Sequence, residues 1–417
     1  MRVVLLAAVA SEAGYLLLNR LGDFRRFVVE YIAVYLLLYI FYLLVCWRVE
    51  REKRFSARAV ILGGLAFRFT LAALYPTLTE DPHRYRFEGK LLAAGGNPYT
   101  ERPEDPRWAG LRDTTWEQVN RKDLPTAYGP LLEWCYRITW EGASRFSSDE
   151  RVQVRLFKVP FQLMDLATAA LLWRWRPEAL VVYFWSPLVV TEFWASGHTD
   201  SALLFFLVAA VWAAQEARWG LAYGALWGAT LIKFWPAFLF PLFWRHGGRA
   251  QLAAAWIPAA VLVAWPFRAG LDELRGMLTG FLGGWTNNAS LFHLVYAAAG
   301  RDFERAKPMV AVLVLAVVGV VIWRKPDLVA GVRAVTVTLL VLGANCFPWY
   351  LTWVLPFRPS PALLLWAGLA PLSYHVLMGY GALGEWRETS LFLWLEYVPV
   401  YAMLAAGLWH RHSPPEA

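Results

Sequence analysis

EDPHRYRFEGKLLAAGGNPY, residues 80–99, follows an apolar run and concentrates polar chemistry in an otherwise largely lipid-soluble sequence. Asp81 is a typical N-cap residue, Pro82 suits the first helical position, and Gly95-Gly96 is a stop signal. The pattern therefore predicts a helix over residues 82–94.

This predicted helix has two faces. Arg84 and Glu88 are four residues apart and can pair, while Phe87, Leu91 and Ala94 form an apolar stripe. Such a pattern is typical of an amphipathic helix lying along a membrane surface, with Asp81 at the end of a membrane segment. The alternative, that Asp81 only caps the helix and Arg84 only solvates it, stays open at this point.

The composition indicates a membrane protein. The chain has 417 residues, of which 58% are hydrophobic and 17% charged, whereas a soluble domain carries about 25% charged residues. Aromatic residues make up 16% of the chain, which suits interfacial belts. The net charge of +8 comes from Lys and Arg in short loops, and no basic block typical of nucleic-acid binding occurs.

The cysteines and the N-terminus exclude other classes. Cys46, Cys135 and Cys346 lie far apart, so neither a zinc site nor a disulfide framework is indicated. The first apolar run continues through residues 15–18, and we interpret it as a transmembrane helix rather than a cleaved leader.

The apolar runs along the chain predict an all-α polytopic membrane protein with about 11–14 transmembrane or re-entrant helices. We expect a single integral membrane domain over residues 1–417, in which residues 77–145 form an outer loop with juxtamembrane helices. The basic loop WRVEREKRFSAR, residues 47–58, should be cytoplasmic and thereby places the loop after residue 76 outside.

Two apolar runs must be interrupted if the basic loops all lie on one side. The run 219–244 should break near Lys233-Phe234-Trp235-Pro236, and 345–357 should be a short return. Broken helices at membrane depth are tolerated only in buried or cavity-lining positions. The breaks therefore indicate a functional site.

Three ionisable groups border the apolar runs on the predicted outer side: Asp81, the pair His198 and Asp200, and Lys233. His198 could be only a loop residue and Asp200 only an N-cap. Lys233 has no neighbouring carboxylate in the sequence, which favours an anion from outside the chain, such as a lipid-linked phosphate, over an internal ion pair.

Nearby residues suggest sugar chemistry. Asp81 suits a general base, Trp285, Trp349 and Tyr350 suit the apolar face of a sugar ring, and Asn287 and Asn288 suit its hydroxyls. Taken singly, these residues fit interfacial belts and turns equally well. A metal site from Asp81, His83, His198 and Asp200 is disfavoured because its ligands come from distant loops, and Glu80 with Asp81 makes a poor glycosidase pair.

The chain resembles the GT-C glycosyltransferases, in particular the bacterial polyprenyl-phosphate-mannose-dependent branch. The motifs that carry the resemblance, in order, are the segment with Asp81, Arg84, Tyr85 and Gly96-Asn97-Pro98-Tyr99, then Tyr128-Gly129-Pro130, SPLVVTEFWASGHTDS, LIKFWPAFLFPL, WTNNASLF and FPWYLTWVLPF. Two positions depart from the family pattern: Thr199 stands where Asn is frequent, and Phe347 where some members have a histidine.

The resemblance implies an inverting transfer of a hexose, mannose in the first instance, from a polyprenyl phosphate to a lipid or glycan acceptor. It implies catalytic roles for Asp81 and His198 and phosphate binding by Lys233 and Arg84. The sugar and acceptor would meet Glu80, Tyr85, Asn97, Tyr99, Asp200, Trp285, Asn287, Asn288, Trp349 and Tyr350. No cofactor, metal or nucleotide sugar is implied, and the site would face outward from a bacterial inner membrane.

Other functions fit part of the pattern. A transporter or flippase for lipid-linked saccharides would also have broken helices and a basic cavity, but should show paired repeats, which the sequence lacks. A polymerase of lipid-linked saccharides would use the same class of donor. No further soluble domain is expected, which disfavours protein glycosylation, and the oligomeric state is left open.

Overall fold

The computed structural model describes residues 2–52, 56–274, 276, 285–383 and 386–412. Part of the basic loop 47–58, residues 53–55, lies outside this range. The described part is all-α, with one isolated β-bridge between Asn287 and Asn345. The predicted fold class is confirmed.

The helices follow in chain order. They are α1 (Arg2–Leu21), α2 (Val28–Glu52), α3 (Ala57–Ala72), α4 (Asp81–Ala93), α5 (Pro130–Phe146), α6 (Glu150–Leu156), α7 (Val159–Trp175), α8 (Pro177–Phe184), α9 (Pro187–Val189), α10 (Asp200–Gln215), α11 (Trp219–Ile232), α12 (Phe240–Arg245), α13 (Ala250–Ala254), α14 (Ile257–Ala264), α15 (Phe292–Ala298), α16 (Phe303–Arg324), α17 (Leu328–Leu342), α18 (Pro361–Leu369), α19 (Val376–Leu383) and α20 (Ser390–His412). Six 3-10 segments, Pro106–Leu111, Trp116–Gln118, Trp235–Leu239, Trp265–Gly270, Pro348–Val354 and Ala370–His375, and one π-helical segment, Val190–Ala195, complete the described helical structure.

Seven described helical stretches are long and apolar enough to cross a membrane. They are Val3–Leu21, Val28–Glu52, Glu150–Trp175, Ala250–Leu274, Phe303–Arg324, Pro361–Gly379 and Ser390–Gly407. Two shorter apolar helices, α10 and α17, lie among them. The remaining apolar runs are short or interrupted, as expected for re-entrant elements that line a site.

Three tyrosines on α2 connect this helix to α8 and α18 by hydrogen bonds. The hydroxyls of Tyr35 and Tyr39 donate to carbonyls of α18, at 3.0 and 2.7 Å, and that of Tyr42 donates to the carbonyl of Val182 in α8 at 2.8 Å. All three rings are buried. These bonds satisfy the polar ends of large side chains that would otherwise be buried without partners.

Helix α4 is not a surface helix, which corrects the amphipathic prediction. It begins at Asp81 with Glu80 as N-cap, and residues 82–89, 91 and 92 are buried. Its apolar stripe packs against outer-loop residues, with Phe87 and Leu91 in one cluster with Val119. The 3-10 segments and connecting turns of residues 98–128 therefore form an ordered cap over this helix.

The polar face of α4 is buried because its arginines find hydrogen-bond acceptors within α4, in the outer loop and in α6. Arg84 pairs with Glu88 at 2.6 Å, as predicted, and Arg86 donates to the side chains of Gln153 and Asp113 at 2.6 to 2.9 Å. Charged groups can be buried when they are paired and hydrogen-bonded in this way. The amphipathic pattern was correct, but protein covers both faces.

The predicted break near Lys233 is confirmed. Helix α11 ends at Ile232, Lys233 is extended (φ −138°, ψ 137°), and a 3-10 segment follows. The amide of Gly129 donates to the carbonyl of Ile232 at 3.1 Å and so caps the broken end. A Cβ on Gly129 would lie 2.1 Å from the carbonyl oxygen of Leu231, so only glycine allows this close approach.

A second break, at Ser186-Pro187, was not predicted. Helix α8 ends before it, and the following segment winds as a π-helix over Val190–Ala195. Single π-helical turns are rare in proteins overall, but those that occur are often at functional sites. This one leads directly into the turn that carries His198.

Candidate active site

Asp81, the candidate general base, lies at the first position of α4 and contacts three other side chains. Its Oδ1 accepts a hydrogen bond from Asn120 Nδ2 at 2.8 Å, and its Oδ2 accepts one from the Tyr85 hydroxyl at 3.3 Å. His198 Nδ1 lies 3.5 Å from the same Oδ2, and the side chain keeps 17% of its surface exposed. The carboxylate is therefore held from several sides yet remains accessible.

The environment keeps this carboxylate ionised. Burial acts to raise the pKa of Asp81, but the contact with His198 and its charge, the Asn120 hydrogen bond and the charge of Lys233 outweigh it and lower the pKa below its usual value. Because its pKa is lowered, Asp81 is in the carboxylate form at neutral pH and can accept a proton.

His198 lies fully buried between two carboxylates. Its Nδ1 is 3.5 Å from Asp81 Oδ2 and its Nε2 is 3.3 Å from Glu192 Oε2, in ion-pair range of both but without completed hydrogen-bond geometry to either. Burial acts to lower the pKa of His198, but its contacts with Asp81 and Glu192 and their charges outweigh burial and raise the pKa to about 9. The imidazole is therefore a cation at neutral pH.

Glu192 is the functional candidate that sequence reasoning missed. It is fully buried in the π-helical segment, and the Tyr374 hydroxyl lies 3.0 Å from both of its carboxylate oxygens. A lone glutamate inside the apolar run 178–196 was the available signal, since ionisable residues at membrane depth are costly.

An aromatic stack packs against one face of the His198 imidazole ring. Trp349 stacks on His198 with ring centroids 3.8 Å apart, and Phe347 stacks on Trp349 at 4.5 Å with an interplanar angle of 8°. Trp285 lies against Phe347 at 5.9 Å. Phe347 thus packs against the Trp349 ring that stacks on His198.

Lys233 forms an internal ion pair, which corrects the expectation of an external anion as its main partner. Its Nζ lies 2.7 Å from Asp200 Oδ1, which also accepts a 2.6 Å hydrogen bond from Trp353 Nε1. The ammonium sits over the rings of Tyr350 and Trp353, at 4.6 and 5.1 Å from their centroids. The Lys233 side chain is 19% exposed, so it still faces an open region.

The two halves of the site are adjacent. His198 contacts Asp81, and Asp200, two residues further along the same turn, contacts Lys233. The charge of Lys233 also lowers the pKa of Asp81. The structure therefore brings together Asp81, Tyr85, His198, Asp200, Lys233, Trp349 and Tyr350.

Arg84 lies elsewhere in the fold. All three nitrogens of its guanidinium are bonded, to Glu88 and to the carbonyls of Asn120, Arg121 and Leu124, and its side chain is 4% exposed. Four of its five N–H groups are therefore engaged within the protein. Its role in the structure is to hold the outer loop on α4.

Three other predicted ligands hold the loop in shape. Glu80 pairs with Arg25 at 2.8 Å. Asn97 accepts from the amide of Tyr99 at 3.1 Å, and the Tyr99 hydroxyl donates to the carbonyl of Tyr128 at 2.6 Å. These contacts connect the Asn97-Pro98-Tyr99 motif to the loop that reaches the end of α11.

The asparagine pair 287–288 is buried in a backbone junction. The backbone amide of Asn287 donates to the carbonyl of Ala344 at 3.0 Å, and Asn288 Nδ2 donates to Glu396 at 3.0 Å. Both side chains are almost fully buried. The pair fixes the segment of Trp285 beside that of Trp349 and contacts no open surface.

The alternative metal site does not assemble. His83 bonds to the Tyr75 hydroxyl at 2.7 Å and to its own helix turn, apart from His198. Within the described residues, no group of three or more His, Cys, Asp or Glu side chains has the spacing to hold a metal ion.

A pocket of about 720 Å³ is lined by Arg218, Trp219 and Arg249 among others. It lies at the far end of the α10–α11 hairpin from Asp200 and Lys233, about 24 Å away by helix rise. It is not part of this site.

Comparison with known proteins places these residues in a family. The model of a family described as alpha-(1->6)-mannopyranosyltransferase, N-terminal domain, matches residues 4–246. The match spans more than half of the chain and includes Asp81, Glu192, His198 and Lys233. Comparison with curated proteins and with solved structures gives no match.

Proposed function

The chain belongs to the alpha-(1->6)-mannopyranosyltransferase family, and from this premise we propose the chemistry of its reaction. The protein is an integral membrane mannosyltransferase of GT-C type. It transfers a mannosyl group from a polyprenyl phosphate to a hydroxyl of a lipid or glycan acceptor. The reaction takes place at the outer face of a bacterial inner membrane.

The observation that carries the proposal is that one turn, residues 198–200, contacts an accessible, ionised Asp81 through His198 and a partly exposed Lys233 through Asp200. Asp81 takes the proton from the acceptor hydroxyl as its oxygen attacks the anomeric carbon. The bond from that carbon to the phosphate oxygen breaks, and its electron pair leaves with the polyprenyl phosphate. A single displacement of this kind inverts the anomeric configuration.

Lys233 stabilises the charge that develops on the leaving phosphate. One of its three N–H groups is directed at Asp200, which leaves two for phosphate oxygens. Because Asp200 and the faces of Tyr350 and Trp353 fix the ammonium in place, little reorganisation accompanies the reaction.

The linkage in the family name adds a stereochemical expectation. An inverting transfer that forms an α-linkage requires a β-linked donor. We therefore expect polyprenyl-phosphate β-mannose to serve as donor and a primary 6-hydroxyl of the acceptor to be the nucleophile. Tyr350, which is half-buried beside Lys233, is an aromatic side chain at this site that can contact the sugar ring.

The test is transfer by purified protein in detergent or nanodiscs, with a panel of polyprenyl-phosphate sugars and a lipid extract as acceptor, and products identified by mass. Asp81→Asn should reduce the maximal rate by about 10²-fold or more, because a positioned base contributes about 10²–10⁴-fold. Asp123→Asn, in an exposed carboxylate of the same outer loop, is the matched control and should retain the wild-type rate.

Three results would overturn the assignment. Near-normal transfer by Asp81→Asn would remove Asp81 from the role of base. Products formed from nucleotide-linked mannose alone, with no transfer from any polyprenyl phosphate, would remove the proposed donor. Movement of an intact lipid-linked saccharide across a vesicle membrane, without transfer, would indicate a flippase instead.

A further inference from the structure

We propose that Glu192 is a positioning residue that keeps His198 protonated and directed toward Asp81. The inference rests on the proposed function for its catalytic meaning. The geometry that supports it is independent of the donor and acceptor.

The backbone brings the two side chains together through the π-helix. The amide of His198 donates to the carbonyl of Glu192 at 3.0 Å, across a turn that includes Gly197 at φ +78°. A Cβ at Gly197 would lie 2.6 Å from Lys158 Cγ, so the turn is closely packed. The π-helical winding therefore places the Glu192 carboxylate beside the imidazole, with Oε2 at 3.3 Å from Nε2.

The carboxylate of Glu192 has few ways to be satisfied. It is fully buried, and among the described residues the only basic side chain within 4.0 Å of it is His198, at 3.3 Å. Its other neighbour is the hydroxyl of Tyr374, a neutral donor. A buried carboxylate without a paired cation is strongly unfavourable, so Glu192 favours the imidazolium form of His198.

Other charged and titratable groups on the elements packed against the π-helix are already engaged. Asp81 faces the imidazole from α4, Lys158 donates to the carbonyls of Trp194 and Ala195, Arg68 pairs with Asp165, Lys233 pairs with Asp200, and Tyr31 and Tyr374 carry no charge at neutral pH. Asp81 and Glu192 are thus the charges that act directly on His198.

The consequence reaches Asp81. With Glu192 on Nε2, the imidazolium presents its Nδ1–H side to Asp81 and keeps that carboxylate ionised. Without the charge of Glu192, His198 would lose its proton at a lower pH than in the wild type, and Asp81 would then lose the cation beside it.

The first experiment needs no substrate. A histidine whose pKa is raised by folding stabilises the protein fully below its unfolded pKa and loses that stabilisation as pH rises through the folded pKa. The melting temperature of the wild type should therefore fall between about pH 6.5 and about pH 9. Glu192→Gln keeps the shape and removes the charge, and its melting temperature should depend less on pH across this window.

Asp113→Asn is the matched control. It removes a largely buried carboxylate that pairs with Arg86 and Lys90 rather than with a histidine. It should lower the melting temperature without changing the wild-type slope. Should Glu192→Gln fail to fold, Glu192→Asp keeps the charge and should keep the slope. A wild-type slope in Glu192→Gln, or a flat one in Glu192→Asp, would overturn the inference.

The second experiment reads activity. The alkaline limb of the wild-type pH–rate profile should lie near pH 9 and should move to lower pH in Glu192→Gln. An unmoved limb in an active variant contradicts the role of Glu192. Failure of the wild type to use any polyprenyl-phosphate sugar contradicts the proposed function, and the melting experiment then decides the role of Glu192 by itself.

Discussion

At the level of single residues, substitutions in the ion pair between Lys233 and Asp200 can distinguish an effect on donor binding from an effect on stability. Asp200 is 2% exposed, and removing its cation leaves a buried charge without a partner. Lys233→Met should therefore destabilise the protein by about 3 kcal/mol and raise the donor concentration needed for half-maximal rate more than it lowers the maximal rate. Thermal unfolding and donor saturation measure the two effects.

A double variant provides the control for this prediction. Lys233→Met with Asp200→Asn removes both charges, so most of the lost stability should return, while weak donor binding should persist. If the double variant regains wild-type donor dependence, Lys233 serves only the fold.

The sequence identified most of the residues that meet at the site but not all of their partners. Asp81, His198, Asp200 and Lys233 were recognisable because charge at membrane depth is costly. The partner of Lys233 lies 33 residues away, on the neighbouring helix of a hairpin whose register no pattern reveals. The same rule applies to Glu192 inside its apolar run, but the sequence does not show that its carboxylate would lie next to His198. The sequence likewise does not show the loop carbonyls that accept hydrogen bonds from Arg84.

At the level of elements, two glycines in neighbouring helices test how tightly α4 packs on α5. A Cβ on Gly89 would lie 2.4 Å from the backbone carbonyl oxygen of Tyr136, which cannot move without shifting α5. Gly89→Ala should therefore cost about 2 kcal/mol or more and, because α4 begins at Asp81, lower activity as well.

Gly142, inside α5, is the matched control, because a Cβ added there would meet no atom within 4 Å. Gly142→Ala should be neutral or stabilise the protein by up to about 1 kcal/mol. Thermal unfolding in one detergent gives both values. Equal melting temperatures for the two variants would show that α4 and α5 are not in close contact.

Elements were predictable where a local rule determines them. The break at Lys233 follows from a charge and a proline in an apolar run, and the start and end of α4 from Pro82 and the glycine pair. The burial of α4 was not predictable, because an amphipathic pattern does not say whether water, lipid headgroups or a loop covers its polar face. The π-helix likewise depends on packing around Ser186-Pro187 rather than on local propensity.

At the level of the whole molecule, the charge asymmetry of the loops predicts which end of the bundle faces the cytoplasm. Arginines such as Arg218 and Arg249 lie at one end of the α10–α11 hairpin, and Asp200 and Lys233 lie at the other. In this hairpin the basic residues and the site residues therefore lie at opposite ends, and the orientation of the molecule stays a prediction from hydropathy and charge.

Cysteine labelling tests this orientation. In a background without Cys46 and Cys135, which are partly buried, Asp123→Cys should react with a membrane-impermeant maleimide in intact spheroplasts, because Asp123 is exposed in the outer loop. Arg249→Cys should react only after the membrane is permeabilised. Both variants should label equally in detergent, which controls for local access. The reverse pattern would put Asp81 and Lys233 on the cytoplasmic side, where soluble nucleotide sugars are available and a lipid-linked donor would no longer be required.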